Sequence, residues 1–340
     1  MIKITMIRKT SSEKRKPWKK IAAAMLALIL IISGSFKREK KRIFSAEHIT
    51  GLYFHNPSRA VFERSICWLK KNDCVFISSD ELLDILNNKI PFPRRGVWIT
   101  FDDGWRANLS EVLPVMLKYN IPLTFFISSG PVENSGVFWF SLVRTFRDFL
   151  PSIYQNNLQK LWSIDEKQRK AIVEELEKKC SPLLVREALS VNEIKAISRI
   201  PLVTIGSHTV NHVITVNCTD AELEAEISNA SLKLEQWTGK KVRFFAYPNG
   251  DYGGRERKFL REAGIKLAAT TRKEFISKKS DLYSIPRFCV NDDAFLPEII
   301  CQLVGVWGKW MDSIGNICSR YRRTKSRSVE RDKSAVKQDD

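Results

Sequence analysis

The sequence predicts an α/β fold on a parallel sheet, either a barrel or a wide open sheet, and three observations carry that expectation. Short apolar runs alternate with helical stretches of ten or more residues, the pattern of repeated strand–helix units. Six to eight such runs can be counted along the chain. No Pro/Gly/Ser-rich linker interrupts the middle of the 340 residues, of which 44% are hydrophobic, so one large core is simpler than two small ones.

The elements follow in order. HITGLYFHNPS (His48 to Ser58) reads as a strand ending at His55, where Asn56 and Pro57 supply turn chemistry. SRAVFERSICWLKKN places Val61, Phe62, Ile66 and Leu69 at helical spacing. CVFISSDELLDILNN is a strand and then a helix capped by Ser79 or Asp80. GVWITF is a strand, NLSEVLPVMLKYN a helix and IPLTFFIS the next strand. Residues 134–199 interrupt the rhythm with a charged, mostly helical insertion. IPLVTIGSH then resumes as strand, followed by the helix DAELEAEISNASLKLEQWTG, the strand KKVRFFAYP, the helix GGRERKFLREAG and the strand IKLAATT. Val304, Trp307, Trp310, Met311 and Ile314 are spaced for a last helix that closes the core.

Charge is concentrated at the two ends. The net charge of +18 resembles a nucleic-acid signature until it is divided: residues 1–42 hold +11 and residues 320–340 hold +4. The near-neutral middle argues against a basic groove for nucleic acid, while basic flanks beside an apolar run suit an anionic membrane surface. That run, Ile21 to Phe36, follows a basic region 1–20 and precedes a basic linker at 37–47. It reads as a signal peptide or an uncleaved membrane anchor, which predicts a catalytic part outside the cytoplasmic membrane. The tail 318–340 reads as basic and disordered. Seven cysteines form no CxxC pair, so neither a disulfide framework nor a structural zinc knuckle is expected.

Three stretches carry candidate chemistry. Asp102 and Asp103 stand side by side at the end of a strand that reads as buried, before Gly104. Alone, such a pair could be one turn cap and one solvated charge. His208 and His212 lie four residues apart past another strand end, a spacing that lets two imidazoles face one point. Two histidines and one carboxylate would make an N,N,O metal site, leaving the second carboxylate free as a base. In FFAYPNGDYGG (Phe244 to Gly254) a strand runs into glycine-bearing turns whose N–H groups could face a cleft, although YPNG is also an ordinary turn signal.

TFDDG at 100–104, SHTVNH at 207–212 and FAYPNG at 245–250, in that order, resemble the polysaccharide deacetylase family with its NodB-like domain, and most of all its members acting on exopolysaccharides such as poly-N-acetylglucosamine. The resemblance runs from about Ile49 to Trp310 and implies a distorted (β/α) barrel of about seven strands, a catalytic domain at 48–317 interrupted by the insertion. It implies hydrolytic removal of N-acetyl groups from a glycan, with Asp102 as base and a divalent metal, usually zinc and sometimes cobalt or another ion, on Asp103, His208 and His212. Tyr247, Asn249 and Arg287 are expected as oxyanion or substrate contacts.

The chain also departs from the pattern. Ala246 stands where an arginine that orients the base is expected, and no histidine follows His212 to supply the late general acid. Exopolysaccharide-type relatives have an early strand ending in Tyr-His, and LYFH ends in His55, which becomes the expected acid. A hydrolase of another acyl or amide bond and a catalytically degenerate carbohydrate-binding relative are the rival readings.

Overall fold

A computed structural model of the chain describes residues 15–45, 47–308 and 310. The helices are α1 (Pro17–Ile32), α2 (Ser35–Ser45), α3 (Arg59–Lys71), α4 (Ser79–Leu86), α5 (Asn108–Glu111), α6 (Leu113–Tyr119) and α7 (Ser129–Glu133). They continue with α8 (Trp139–Thr145), α9 (Ser152–Gln155), α10 (Glu166–Cys180), α11 (Val191–Ser198), α12 (Asp220–Thr238), α13 (Glu256–Glu262) and α14 (Leu296–Leu303). The strands are β1 (Ile49–Phe54), β2 (Val75–Ile77), β3 (Gly96–Phe101), β4 (Leu123–Ile127), β5 (Val203–Ser207), β6 (Phe244–Ala246), β7 (Leu267–Ala269) and β8 (Phe288–Cys289).

The strands form one curled parallel sheet in the order β7-β6-β5-β4-β3-β1-β8. β2 pairs with the first half of β3, on the edge that β4 takes over at Thr100. The segment after β7 then reaches both margins of the sheet. Ile285 bridges Ala269 in β7 and exchanges bonds with the 268–270 backbone, while Phe288 and Cys289 pair with Leu52 and Tyr53 in β1. A few residues thus close the distorted barrel expected of the family, and they carry Arg287 into its interior.

The strands are buried on both faces, as parallel strands between helices and a barrel interior must be. Val97, Ile99 and Phe101 of β3 pack outward under the helices with Leu52, Phe54, Leu123 and Phe125. Trp98 faces inward with Phe126, Phe244 and Ala246. Period-two alternation therefore puts Thr100 and Asp102 on the inner face with Trp98, at the C-terminal end of β3. Gly51 is needed because an added Cβ would meet the Pro286 carbonyl oxygen at 2.6 Å, where the closing segment passes.

Several boundaries differ from the sequence reading. Ser78, not Ser79 or Asp80, caps α4, in a capping box with Glu81, because its extended backbone lets its hydroxyl accept the Glu81 N–H. The single helix expected at NLSEVLPVMLKYN breaks at Val112, just before Pro114, which has no N–H to give. The helix Leu296–Leu303 breaks at Gly305, which takes φ 69°, and helix resumes at 306–308; Val304 is buried and Trp307 and Trp310 pack beside it, while Met311 and Ile314 lie outside the described residues. Residues 37–45, expected in a linker, belong to α2, whose Ile43 is buried. The basic tail at 318–340 lies outside the described residues.

The insertion is helical, as expected, and builds a core of its own. Phe138, Trp139, Phe140, Leu142, Val143, Leu161 and Leu176 gather around Trp105, the residue that follows the DDG turn. The six described cysteines are free thiols.

Candidate active site

Asp102 and Asp103 are both buried at the mouth of the barrel. Strand geometry would send them to opposite faces, but Asp103 takes φ 74° and Gly104 φ 94°, so the chain turns sharply and both carboxylates serve one site. At Gly104 an added Cβ would also stand 3.1 Å from Ile127, so a side chain there meets both strain and crowding.

Asp102 is held by Arg287. Its Oδ1 accepts Nη1–H at 2.7 Å and its Oδ2 accepts Nη2–H at 2.8 Å, a two-pronged pair. The same guanidinium donates to Thr100 Oγ1 at 2.7 Å and through Nε to the Thr270 carbonyl at 3.1 Å, and its plane lies 4.8 Å from the Tyr53 ring. Arg287 is 0% exposed. It cannot touch substrate, so its expected role as a lining residue is corrected: it reaches the site through Asp102. It also supplies the orienting guanidinium that Ala246 lacks. The Ala246 carbonyl has a different use, facing His208 Nδ1 at 2.7 Å.

The structure brings Asp103, His208 and His212 together, one ligand atom of each lying within 4.8 Å of the others. Asp103 Oδ1 lies 3.5 Å from His208 Nε2 and 3.2 Å from His212 Nε2, yet it is buried without a well-formed hydrogen bond. Burial alone would raise the Asp103 carboxyl; the two imidazoles facing it more than reverse this and hold it well below its ordinary value. A buried anionic oxygen between two imidazole nitrogens is what a divalent cation satisfies, so the donor set fits such a metal.

Surrounding groups hold these ligands in place. The Ala246 contact fixes His208 with Nε2 toward the cluster. Trp105 Nε1 donates to Asp103 Oδ2 at 2.8 Å. His212 sits in a tight loop with φ 52°, its carbonyl accepting Trp139 Nε1–H at 3.1 Å and its ring 4.7 Å from Phe140. The insertion thus forms a wall of the centre.

His55 follows β1 directly. Its carbonyl accepts Asn108 Nδ2–H at 3.0 Å, and its N–H donates to Asp292 Oδ1 at 3.3 Å. Burial pulls its imidazole down, but Asp103, Asp292 and Asp102 outweigh that and leave it above its ordinary value. Beside it, Asn56, Trp105, Arg106, Ala107, Arg186 and Glu187 line a cleft of about 340 Å³. A second cavity, about 390 Å³, lies behind the Val210–Asn211 loop and touches none of the five central residues.

One expectation in the third motif needs correction, that for Tyr247. Tyr247 packs in the outer core, its hydroxyl donating to the Tyr283 carbonyl at 2.9 Å and its N–H to the Ala269 carbonyl at 3.0 Å, so neither group is open to a ligand. The cause is alternation along β6: Ala246 faces inward, hence Phe245 and Tyr247 face outward. Asn249 is exposed at φ 60°, and its amide nitrogen donates to Asp251 at 2.5 Å, which ties the side chain into its own turn. Trp105, Trp139, Phe140 and Asp292 escaped sequence reasoning; only Trp105, two residues beyond the Asp pair, stood close enough to be noticed.

A (β/α) barrel with an Asp-His-His cluster and a separately held carboxylate at its strand ends defines a hydrolase built to take a divalent metal. The chain belongs to the polysaccharide deacetylase family, whose profile matches residues 89–268, more than half its length. Poly-beta-1,6-N-acetyl-D-glucosamine N-deacetylase of Staphylococcus aureus is 24% identical over 241 residues, covering 71% of this chain and 70% of that protein. Its Staphylococcus epidermidis counterpart is 24% identical over 234 residues, 69% and 68% of the two chains. Among solved structures, IcaB from Ammonifex degensii aligns with a TM-score of 0.56 at 21% identity, over 76% of this chain and 98% of that one. The Streptococcus pyogenes deacetylase PplD, solved with acetate, aligns with a TM-score of 0.56 at 16% identity, over 75% and 98%. These two share the fold.

Proposed function

We propose that this protein removes N-acetyl groups by hydrolysis from a β-linked poly-N-acetylglucosamine, with Asp102 as base, His55 as acid and Asp103, His208 and His212 as metal ligands. One observation carries this reading: adjacent carboxylates have divided duties, Asp103 facing two imidazoles and Asp102 facing a buried arginine. The names of the staphylococcal relatives support the glycan.

When bound, a divalent ion, zinc being the choice for two imidazoles and one carboxylate, supplies Lewis-acid charge at the acetamide carbonyl. Asp102 accepts the proton of the attacking water on a carboxylate oxygen, and the two-pronged pair with Arg287 keeps that carboxylate aimed. His55 holds a proton on its imidazole and delivers it to the departing amine nitrogen, so the sugar leaves as a neutral amine rather than as an amide anion. The cleft beside His55 and Trp105 offers the glycan a polar floor.

We also place the working enzyme at a membrane, outside the cytoplasm. The motive is the basic-apolar-basic order of residues 14–42, together with the exposed Trp18, Ile21, Met25, Leu28, Ile29 and Ile32 on α1. No single described helix is long and apolar enough to cross a bilayer, whereas α1 and α2, bent by 71°, pass that test as a pair.

The test is acetate release from a panel of N-acetylated oligosaccharides, with bound metal measured on the same samples. Release from β-1,6-linked N-acetylglucosamine oligomers is expected. Metal-loaded protein that binds these oligomers but frees no acetate would turn the reading toward a degenerate carbohydrate-binding relative.

A further inference from the structure

The N-terminal helix is bolted to the turn that holds His55. Arg15, just ahead of α1, donates through Nη1 and Nη2 to Glu298 Oε1 and Oε2 at 2.7 and 2.9 Å. Its Nε and backbone N–H reach Asp293 at 2.7 and 3.0 Å, and Lys20 Nζ lies 3.2 Å from the same carboxylate. Glu298 is 0% exposed, a position where an ionised carboxylate needs a charged partner. Farther along, Ala27 and Leu30 of α1 pack against Cys301, Val304 and Val306.

The acidic side of this clasp leads to the site. Glu298 Oε1 also accepts Asn291 Nδ2–H at 2.7 Å, so Arg15 and Asn291 share one oxygen. Asn291, Asp292 and Asp293 are consecutive: the two outer side chains face the clasp, while Asp292 takes the His55 N–H through its carboxylate and the Ser58 N–H through its carbonyl. Movement of the turn therefore moves His55.

We propose that Arg15 is a positioning residue for the acid: through Asp293 and Glu298 it sets the Asn291–Asp293 turn and so the placement of His55, which makes the N-terminal segment a working part of the enzyme rather than a removable leader. This rests on the reading of His55 as the acid. It gives the two sides of α1 different uses, one clamping the catalytic domain and the other left apolar and exposed.

The consequence is a dependence on the leaving group. An amine needs a proton to depart; an activated phenolate does not, so a misplaced acid slows the amide and spares the ester. The experiment compares full-length wild type, Arg15→Ala and Arg15→Lys, metal-loaded, on an N-acetylglucosamine oligomer and on 4-nitrophenyl acetate, with His55→Ala as reference. Arg15→Ala should lose roughly ten- to hundredfold in kcat on the oligomer, less than the roughly 10²–10⁴-fold of losing a general acid outright because His55 is displaced and not removed, keep its KM and keep ester hydrolysis within about twofold. Arg15→Lys should recover part of the loss. Equal loss on both substrates, or no loss on either, would overturn the proposal, since the first marks a general unfolding effect and the second an idle clasp. If His55→Ala itself spares amide hydrolysis, the assignment of the acid fails, and that outcome is separate from a failure of the clasp.

Discussion

At the scale of single residues, the site is a set of buried charges, each answered by a particular neighbour. Trp105 donates to Asp103 Oδ2 and leaves Oδ1 for the two imidazoles, so Trp105→Phe should weaken metal binding by roughly ten- to hundredfold, measured by competition with a chelating dye. His55 offers a second check. Its raised pKa in the metal-free protein means that the charged ring stabilises the fold fully below the ordinary value of 6.5, and that this contribution is lost as pH rises through the folded value. A divalent cation compensates Asp103, so the His55 midpoint, followed by ring-proton NMR, should move down when metal is added; a midpoint that stays put would separate His55 from the metal centre.

At the scale of elements, the closing segment at 285–289 decides how the base is oriented. Arg287 was visible in the sequence as a polar residue near the last strands, but its partner lies 185 positions away, and no local pattern reports a pair made by closing a barrel. Asp103, His208 and His212 were legible because each lies next to a strand end in a short motif. Tyr247 was expected at the site because it stands in the FAYPNG motif, whereas one step of alternation turns it into the outer core. Asp292 was hidden for the reason that hid the pairing of Arg287 with Asp102: its partner, His55, is far away in the sequence. Gly51→Ala tests this element from behind the site: the new methyl must push on Pro286 and on the stem of Arg287, which should cost ~1–3 kcal/mol in denaturant unfolding and lower kcat with metal content unchanged. An unchanged kcat would mean that the closing segment tolerates displacement.

At the scale of the whole molecule, three apolar groupings meet around the catalytic end of the barrel: the main core, the core of the insertion and the N-terminal helices with α14. The basic and apolar character of the N-terminal residues was plain in the sequence, while their packing on α14 was not, because Ala27 and Leu30 look like any other part of an apolar run. A chain that begins at Ser35 would leave Glu298 buried without its arginine and bare the face formed by Cys301 and Val304. Calorimetry should then find at least ~3 kcal/mol of lost stability and a lower Tm; equal stability would make α1 a passenger on the fold.

The central claim is that two neighbouring aspartates do different work, and Asp102→Asn tests it most directly. Asparagine keeps the shape and removes the proton acceptor, so acetate release from an N-acetylglucosamine oligomer should fall at least ~10²-fold while bound metal stays at the wild-type level. Asp103→Asn, measured alongside, should lose the metal as well. Normal turnover by Asp102→Asn, or metal lost from it as readily as from Asp103→Asn, would contradict the division of labour between the two carboxylates.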